Sequence, residues 1–145
     1  MTQITPCLWF NNNAEEAALY YTTVFDDSQI TQSNEVMTWF KLGRQKVGLL
    51  NGGPEFPQTE SFSFFVTCDG QEEVDKYWDR LVGDGGSEGR CGWCKDKYGV
   101  SWQIIPKQLG QSFENEDPKK AKYAMKAMMK MSKIIVADLV KVSEV

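Results

Sequence analysis

The sequence places two cysteines, Cys91 and Cys94, at the spacing found in redox pairs and in zinc sites. A redox pair needs a helix N-terminus to lower the pKa of its first thiol, whereas this pair precedes a predicted strand hairpin. A zinc site would have to recruit Cys7 and Cys68 from other strands, because no second motif of this kind is present. We interpret Cys91 and Cys94 as ordinary buried thiols, with the redox and zinc roles as the alternatives.

Histidine is absent from the sequence. Its absence removes the usual general base, the commonest metal ligand and the triads that activate a serine or cysteine. The carboxylate pairs at 15–16 and 72–73 open predicted helices, so we interpret them as solvated helix starts rather than as an acid and a base. The glycine-rich segment 83–89 runs from a helix to a strand, the reverse of a phosphate-binding loop, and is interpreted as a connector. Asp96 is interpreted as part of a hairpin tip.

Length and composition limit the classes of protein that fit. A chain of 145 residues, 41% apolar and 25% charged, suits a single folded domain. The net charge of −4 argues against a nucleic-acid partner, and no apolar run approaches the roughly 18 residues of a membrane span. No secretory signal is visible, and four cysteines in such a chain predict a reducing cytoplasm.

The two halves of the chain have predicted elements in the same order: a strand, a helix and a strand hairpin. Segment 15–24 aligns with 72–81, and segment 43–51 aligns with 98–106, in both cases with matching residue types. The sequence therefore predicts an α+β fold with two copies of one module, over about 1–58 and 59–106. The predicted elements are a strand over 4–10, a helix over 14–25, strands over 29–51 that turn at 43–44, a strand over 61–68, a helix over 71–82 and a hairpin over 91–106.

The remaining residues predict a C-terminal helical extension over about 112–145. Asp117 is a suitable N-cap, and Pro118 suits the first helical position of a helix over 117–142, which Ser132 could divide in two. The first 106 residues carry 8 basic and 15 acidic side chains, whereas the last 39 carry 8 basic and 5 acidic. This change of charge predicts an appendage to the main body. The side chains expected to share its packed face are Tyr123, Ala127, Met128, Met131 and Ile135.

Five segments are distributed along nearly the whole chain: TPCLWFNNNAEEAALYYTTVF, LLNGGPEFPQ, SFSFFVTCDGQEEVDKYWDRL, CGWCKDKYGVSWQIIP and AMKAMMKMSKI. They resemble the PhnB-like branch of the glyoxalase/bleomycin-resistance/dioxygenase superfamily, the vicinal oxygen chelate fold, a branch often labelled demethylubiquinone methyltransferase-like. The resemblance implies a single glyoxalase-like domain in which paired βαβββ modules form a curled mixed sheet. It also implies a homodimer.

In active members of that superfamily, four positions on the cup-facing strands hold a divalent metal and are typically His or Glu. The resemblance places these positions at Thr5, Asn51, Ser61 and Gln103. Hydroxyl and carboxamide oxygens are poor ligands for zinc, iron or nickel, and these four side chains carry no charge to offset the metal's. We therefore predict that this chain has no metal site and no other cofactor.

Strand alternation predicts a ligand pocket. Each predicted strand has one large apolar face, which would pack against the helices, and one face that mixes aromatic and small polar side chains. We expect the mixed faces to line one concavity, since this make-up is typical of small-ligand pockets. The predicted ligand-binding residues are Trp9, Asn51, Ser61, Ser63, Phe65 and Gln103.

The function predicted from these observations is the binding of a small organic molecule by a metal-free cytoplasmic homodimer, with no nucleic-acid or membrane partner. One alternative is an enzyme of the same superfamily: a metal-assisted lyase, isomerase or dioxygenase, or a methyltransferase as the family label says. No strand–glycine loop–helix unit for a nucleotide-like methyl donor is visible. Another alternative is an interaction module whose tail helix recruits a partner.

Overall fold

The computed structural model describes residues 1–140 of the chain. Its internal contacts divide the described residues into two compact units, residues 1–58 and the residues from Thr59 onward. Each unit contains a four-stranded mixed sheet and a helix, with elements in the order strand, helix and three strands. The predicted α+β class and the two βαβββ modules are confirmed.

The first unit forms its sheet in the order β1-β4-β3-β2, with β1 parallel to β4 and the other pairs antiparallel. Its elements are β1 (Cys7–Phe10), α1 (Ala14–Val24), β2 (Ser28–Ser33), β3 (Met37–Leu42) and β4 (Gln45–Asn51).

Helical spacing explains how α1 packs against this sheet. Ala17, Tyr21 and Val24 recur three or four residues apart and are buried. The Tyr21 ring stacks on Phe40 of β3 at 5.8 Å between centroids. The opposite side of the sheet is named here the first open face.

The second unit repeats the arrangement in the order β5-β8-β7-β6, again with one parallel pair, β5 and β8. Its elements are β5 (Ser63–Cys68), α2 (Gln71–Gly83), β6 (Ser87–Glu88), β7 (Trp93–Lys95) and β8 (Ser101–Pro106). The predicted strand over 61–68 starts two residues later than expected. The side of this sheet opposite α2 is named here the second open face.

The tail contains α3 (Lys107–Phe113), α4 (Pro118–Met128) and a short 3-10 helix (Val136–Leu139). The predicted cap is present, because the Asp117 side chain accepts a hydrogen bond from Lys119 N at 2.9 Å. Helix α3 was not predicted from the sequence. None of the helices in residues 1–140 has both the length and the apolar content needed to cross a bilayer.

The predicted helix over 117–142 is wrong beyond Met128. The carbonyl groups of Met131 and Ser132 accept hydrogen bonds at 2.8 Å from the backbone of the 91–92 turn. These carbonyls therefore bond to another part of the fold, and Ser132 begins no second α-helix. The last two residues of the predicted helix lie outside the described residues.

The packed face of the tail agrees with the predicted set only in part, since Ala127, Met128 and Met131 are half-buried. Tyr123 and Ile135 are exposed, whereas Ala124 and Ile134 are fully buried. One core cluster joins the end of the tail to α3 and β8, so the tail packs against the sheet of the second unit instead of standing apart from it. The cluster consists of Ile105, Leu109, Ile134 and Leu139, with Met128 and Met131 at its edge.

Candidate functional site

The first open face is built from aromatic and sulfur-containing side chains around a glycine. A methyl group at Gly48 would lie 2.7 Å from the Trp39 ring and 2.9 Å from Met37 Cε, so these two side chains cover the glycine backbone. The Lys46 ammonium lies 5.1 Å from the centroid of the Trp39 ring. This face therefore has an aromatic surface with a cation lying over the Trp39 ring.

Trp9, a predicted ligand-binding residue, is fixed on the same face by the loop after β4. Its Nε1 donates to Gly53 O at 2.8 Å, and Phe56 meets its ring edge-on at 4.8 Å. Gly52 is required there, since a Cβ at that position would lie 2.2 Å from the indole. The Trp9 N–H is thus already bonded, and the indole can offer a ligand only its ring.

Asn51, the second predicted site residue, ties three segments of the first unit together. Its Oδ1 accepts from Ala14 N at 2.9 Å and its Nδ2 donates to Glu35 O at 3.0 Å. Asn13, the N-cap residue of α1, makes no capping bond with its side chain, so Asn51 satisfies one N–H of the helix start from a distant strand. Both polar ends of the Asn51 amide are engaged within the protein.

The second open face brings three of the predicted residues together. Phe65 lies opposite Gln103 in the β5–β8 ladder, and Gln103 Nε2 donates to Ser63 Oγ at 3.0 Å. The Phe65 side chain is 60% exposed. Ser61 lies in the turn before β5, where its Oγ is 2.7 Å from Thr59 Oγ1.

Three further side chains of this face were not predicted as site residues: Trp93, Lys95 and Ser101. Trp93 lies opposite Gln103, and Lys95 lies opposite Ser101 in the β7–β8 ladder. Cys94, between them, is buried on the α2 side. Alternation along β7 was the signal that could have found Trp93 and Lys95, but β7 has only three residues.

The four positions that the family resemblance assigns to a metal do not fit one here. Thr5, Asn51, Ser61 and Gln103 are neutral, and the last three already hydrogen-bond within the protein. A divalent ion prefers charged carboxylate or thiolate ligands, or imidazole. Within residues 1–140, no three Cys, Asp or Glu side chains are placed to hold a metal.

The cysteines show no sign of activation. Burial, with a smaller contribution from the charge of Asp96, raises the pKa of Cys94 to about 12. Burial, followed by the charge of Glu73, raises the pKa of Cys68 to about 12. Both thiols are therefore protonated at neutral pH, and none of the four cysteines forms a disulfide.

We expect thiol labelling of the native protein to follow this order. Exposed Cys7 should react with iodoacetamide at pH 8, half-buried Cys91 more slowly, and Cys68 and Cys94 only after unfolding. A pKa near 12 leaves less than about one thiolate in a hundred even at pH 9.5, so raising the pH should not label the last two. Peptide mass spectrometry gives the order, and rapid native labelling of Cys94 would contradict it.

Comparison with known proteins gives consistent findings. A family model described as 3-demethylubiquinone-9 3-methyltransferase matches residues 2–105. A structure from Bacillus cereus, described as a putative 3-demethylubiquinone-9 3-methyltransferase and PhnB protein, is 30% identical with a TM-score of 0.63. The match covers 72% of this chain and 99% of that one. No curated protein sequence matches the chain.

Two more distant structures share the fold. A glyoxalase-related enzyme from Fulvimarina pelagi is 15% identical with a TM-score of 0.53, over 73% of this chain and 88% of that one. The fosfomycin resistance protein FosX from Listeria monocytogenes, complexed with Mn(II) and sulfate, is 13% identical. Its TM-score is 0.55, over 70% of this chain and 86% of that one.

Proposed function

Because the chain belongs to the PhnB-like 3-demethylubiquinone-9 3-methyltransferase family of the glyoxalase/bleomycin-resistance superfamily, we propose that it binds a small organic molecule on an open sheet face. The binding would need no divalent metal, since the residues at the ligand positions do not suit one. The observation that carries the proposal is Phe65, a large apolar side chain left 60% exposed in a sheet ladder beside a polar amide.

Phe65 and Gln103 supply complementary contacts on the second open face. Covering the Phe65 ring with a ligand would remove apolar surface from water, which stabilises the complex by about 25 cal/mol per Å² buried. Gln103 uses Nε2 on Ser63, and its Oε1 has no hydrogen-bond partner among the described residues. The pair can therefore bind a molecule with an apolar ring and one hydrogen-bond donor.

The first open face supports aromatic contact, and its polar group is the Lys46 ammonium, a donor, in place of an acceptor such as Gln103 Oε1. The Trp9 and Trp39 rings lie there, and the Trp9 N–H is bonded to Gly53. Contacts of the ligand with Asn51 and Ser61 stay predictions. The polar atoms of both side chains already bond within the protein, so a ligand would have to share or replace these hydrogen bonds.

The test is an NMR-detected fragment screen followed by calorimetry, in which we expect Phe65→Ala to weaken binding about tenfold. The free energy of unfolding of the Phe65→Ala variant should stay within about 0.5 kcal/mol of that of the parent protein, because an exposed side chain adds little to the core. Leu19→Ala is the matched control, since Leu19 is 53% exposed on α1, on the other side of a sheet. Trp9→Ala tests the first face separately.

Binding that is unchanged by both Phe65→Ala and Trp9→Ala would overturn the proposal, as would a broad screen without any bound fragment. The second candidate function is the methyl transfer that the family name suggests. A nucleotide-like methyl donor is therefore included in the screen, and transfer of its methyl group would favour this candidate.

The same proposal includes a homodimer and a cytoplasmic location. The homodimer rests on the family resemblance and is checked by light scattering on the samples used for calorimetry. The cytoplasm is supported by the four unpaired thiols, which persist in a reducing compartment.

A further inference from the structure

A hollow of about 440 Å³ lies in the second unit, where β6 pairs with β7. We propose that it receives the carboxylate end of a small planar monocarboxylic acid. This inference rests on the proposed function, because Trp93 and Ser101 lie on the same open face as Phe65 and Gln103. The residues that line the hollow include Glu60, Glu88, Arg90, Trp93, Lys95 and Ser101.

Ser101 provides an unsatisfied polar group in the hollow. It is only 1% exposed, and its Oγ has no hydrogen-bond partner in the part of the chain that the structure describes. A buried hydroxyl without a partner costs about 1–3 kcal/mol. A ligand oxygen that accepts a hydrogen bond from the Ser101 hydroxyl would remove that cost, so the hollow favours a ligand with an acceptor at this depth.

Arg90 is the cation of the hollow that is left for a ligand. Lys95 forms an ion pair with Glu60, and Glu88 Oε1 accepts from the Trp78 indole at 3.1 Å. Within residues 1–140, the Arg90 guanidinium makes a single hydrogen bond, from Nη2 to Met129 O at 3.2 Å. Its remaining N–H groups suit a carboxylate, which a guanidinium binds through two parallel hydrogen bonds.

The charge balance and the aromatic wall narrow the ligand class. The lining residues include two basic and two acidic ones, so their charges sum to zero and give no excess positive charge to hold a multiply charged anion such as a phosphate ester. The half-buried Trp93 indole presents a flat surface on which a planar ring can stack. A singly charged acid with a planar ring satisfies both conditions.

The test uses benzoate and its neutral amide, benzamide, titrated into the protein by NMR. Benzoate should bind at least tenfold more tightly than benzamide, and Arg90→Gln should abolish that preference. Ser101→Ala should weaken benzoate about fivefold to tenfold and leave the melting temperature unchanged or higher, because no protein hydrogen bond is lost. Arg44→Gln, at an exposed turn residue of the first unit, is the matched control for Arg90→Gln and should change neither quantity.

Equal affinity for benzoate and benzamide would overturn the inference, and so would benzoate binding that neither Ser101→Ala nor Arg90→Gln changes. The proposed function is tested separately by the same titrations. Phe65-dependent binding of neutral fragments without benzoate binding would leave the proposed function standing and refute the acid. A screen in which no molecule binds would refute both.

Discussion

Replacing Asp96 by alanine is expected to destabilise the second unit by about 3 kcal/mol or more. The carboxylate is 3% exposed. It accepts hydrogen bonds from Tyr98 N at 2.8 Å, Val100 N at 3.1 Å and Trp102 Nε1 at 2.9 Å. Alanine would leave these donors without their acceptor. The buried donors, Val100 N and Trp102 Nε1, would each lose a charge-assisted hydrogen bond.

Chemical denaturation of Asp96→Ala, Asp96→Asn and Asp84→Ala measures this effect. Asparagine keeps one acceptor oxygen, so its loss of stability should fall between those of the parent and the alanine variant. Asp84 is exposed and pairs with Lys97 at 3.0 Å, and its removal should cost less than about 1 kcal/mol. Should Asp96→Ala fail to fold, Asp96→Asn against Asp84→Ala still decides, and equal losses would refute the role of the buried carboxylate.

The same carboxylate positions the second open face. Asp96 holds the turn between β7 and β8 and bonds directly to Trp102, the neighbour of Gln103 in sequence. The interpretation of Asp96 as a hairpin tip placed it correctly in the chain. That interpretation did not predict the burial of Asp96, because a charged residue between two lysines is typical of a solvated turn. Its three hydrogen-bond donors come later in the chain, and no sequence pattern marks them as partners of Asp96.

The sequence was sufficient to predict the module because its signals are local. The twofold alternation along β5 and β8 and the helical spacing of Ala17, Tyr21 and Val24 each arise within one element. Phe65, Ser63 and Gln103 could therefore be placed on one face from alternation and the repeat. The parallel pairing that makes them neighbours is what the structure adds.

The remaining features depend on residues far apart in the sequence. Asn51 satisfies an N–H of α1 across 37 positions, and no local pattern marks an asparagine as the cap of another element. Cys91 adopts a left-handed backbone with φ of 58°, a conformation that favours glycine. The hollow around Ser101 was also missed, because a serine without a partner has the same sequence signature as any strand serine.

The tail shows the same limit, since it is held from two sides by distant groups. Gln71 of α2 donates from Nε2 to Ile134 O at 3.0 Å and accepts from Val136 N at 2.7 Å. On the other side, Gly92 N donates to Ser132 O at 2.8 Å. These bonds orient Ile134 into the core cluster and determine where the helix ends, which helix propensity alone would have extended.

Gly92→Ala is accordingly expected to cost about 2–3 kcal/mol and to release the tail from the second unit. Gly92 has a φ of 84°, and a Cβ there would lie 2.7 Å from Ile105 Cδ1 and 3.1 Å from Ile134 Cγ1. Movement of the tail would relieve the overlap with Ile134 and give Ile105 Cδ1 room to shift, whereas the strained backbone of the turn would remain. Trypsin should then cleave after Lys130 and Lys133 faster than in the parent protein.

Gly53→Ala separates the two causes, because Gly53 has a φ of 101° and a Cβ there would have no atom within 4 Å. That variant carries backbone strain without overlap and should lose only about 1 kcal/mol, with tryptic cleavage of the tail unchanged. Equal losses for the two variants would show that strain alone acts at Gly92 and that its contact with Ile105 and Ile134 does not hold the tail. A larger loss at Gly92 together with faster tail cleavage would make the Cys-Gly-Trp-Cys motif an attachment point for the tail, which is a structural use of a sequence typical of redox and zinc sites.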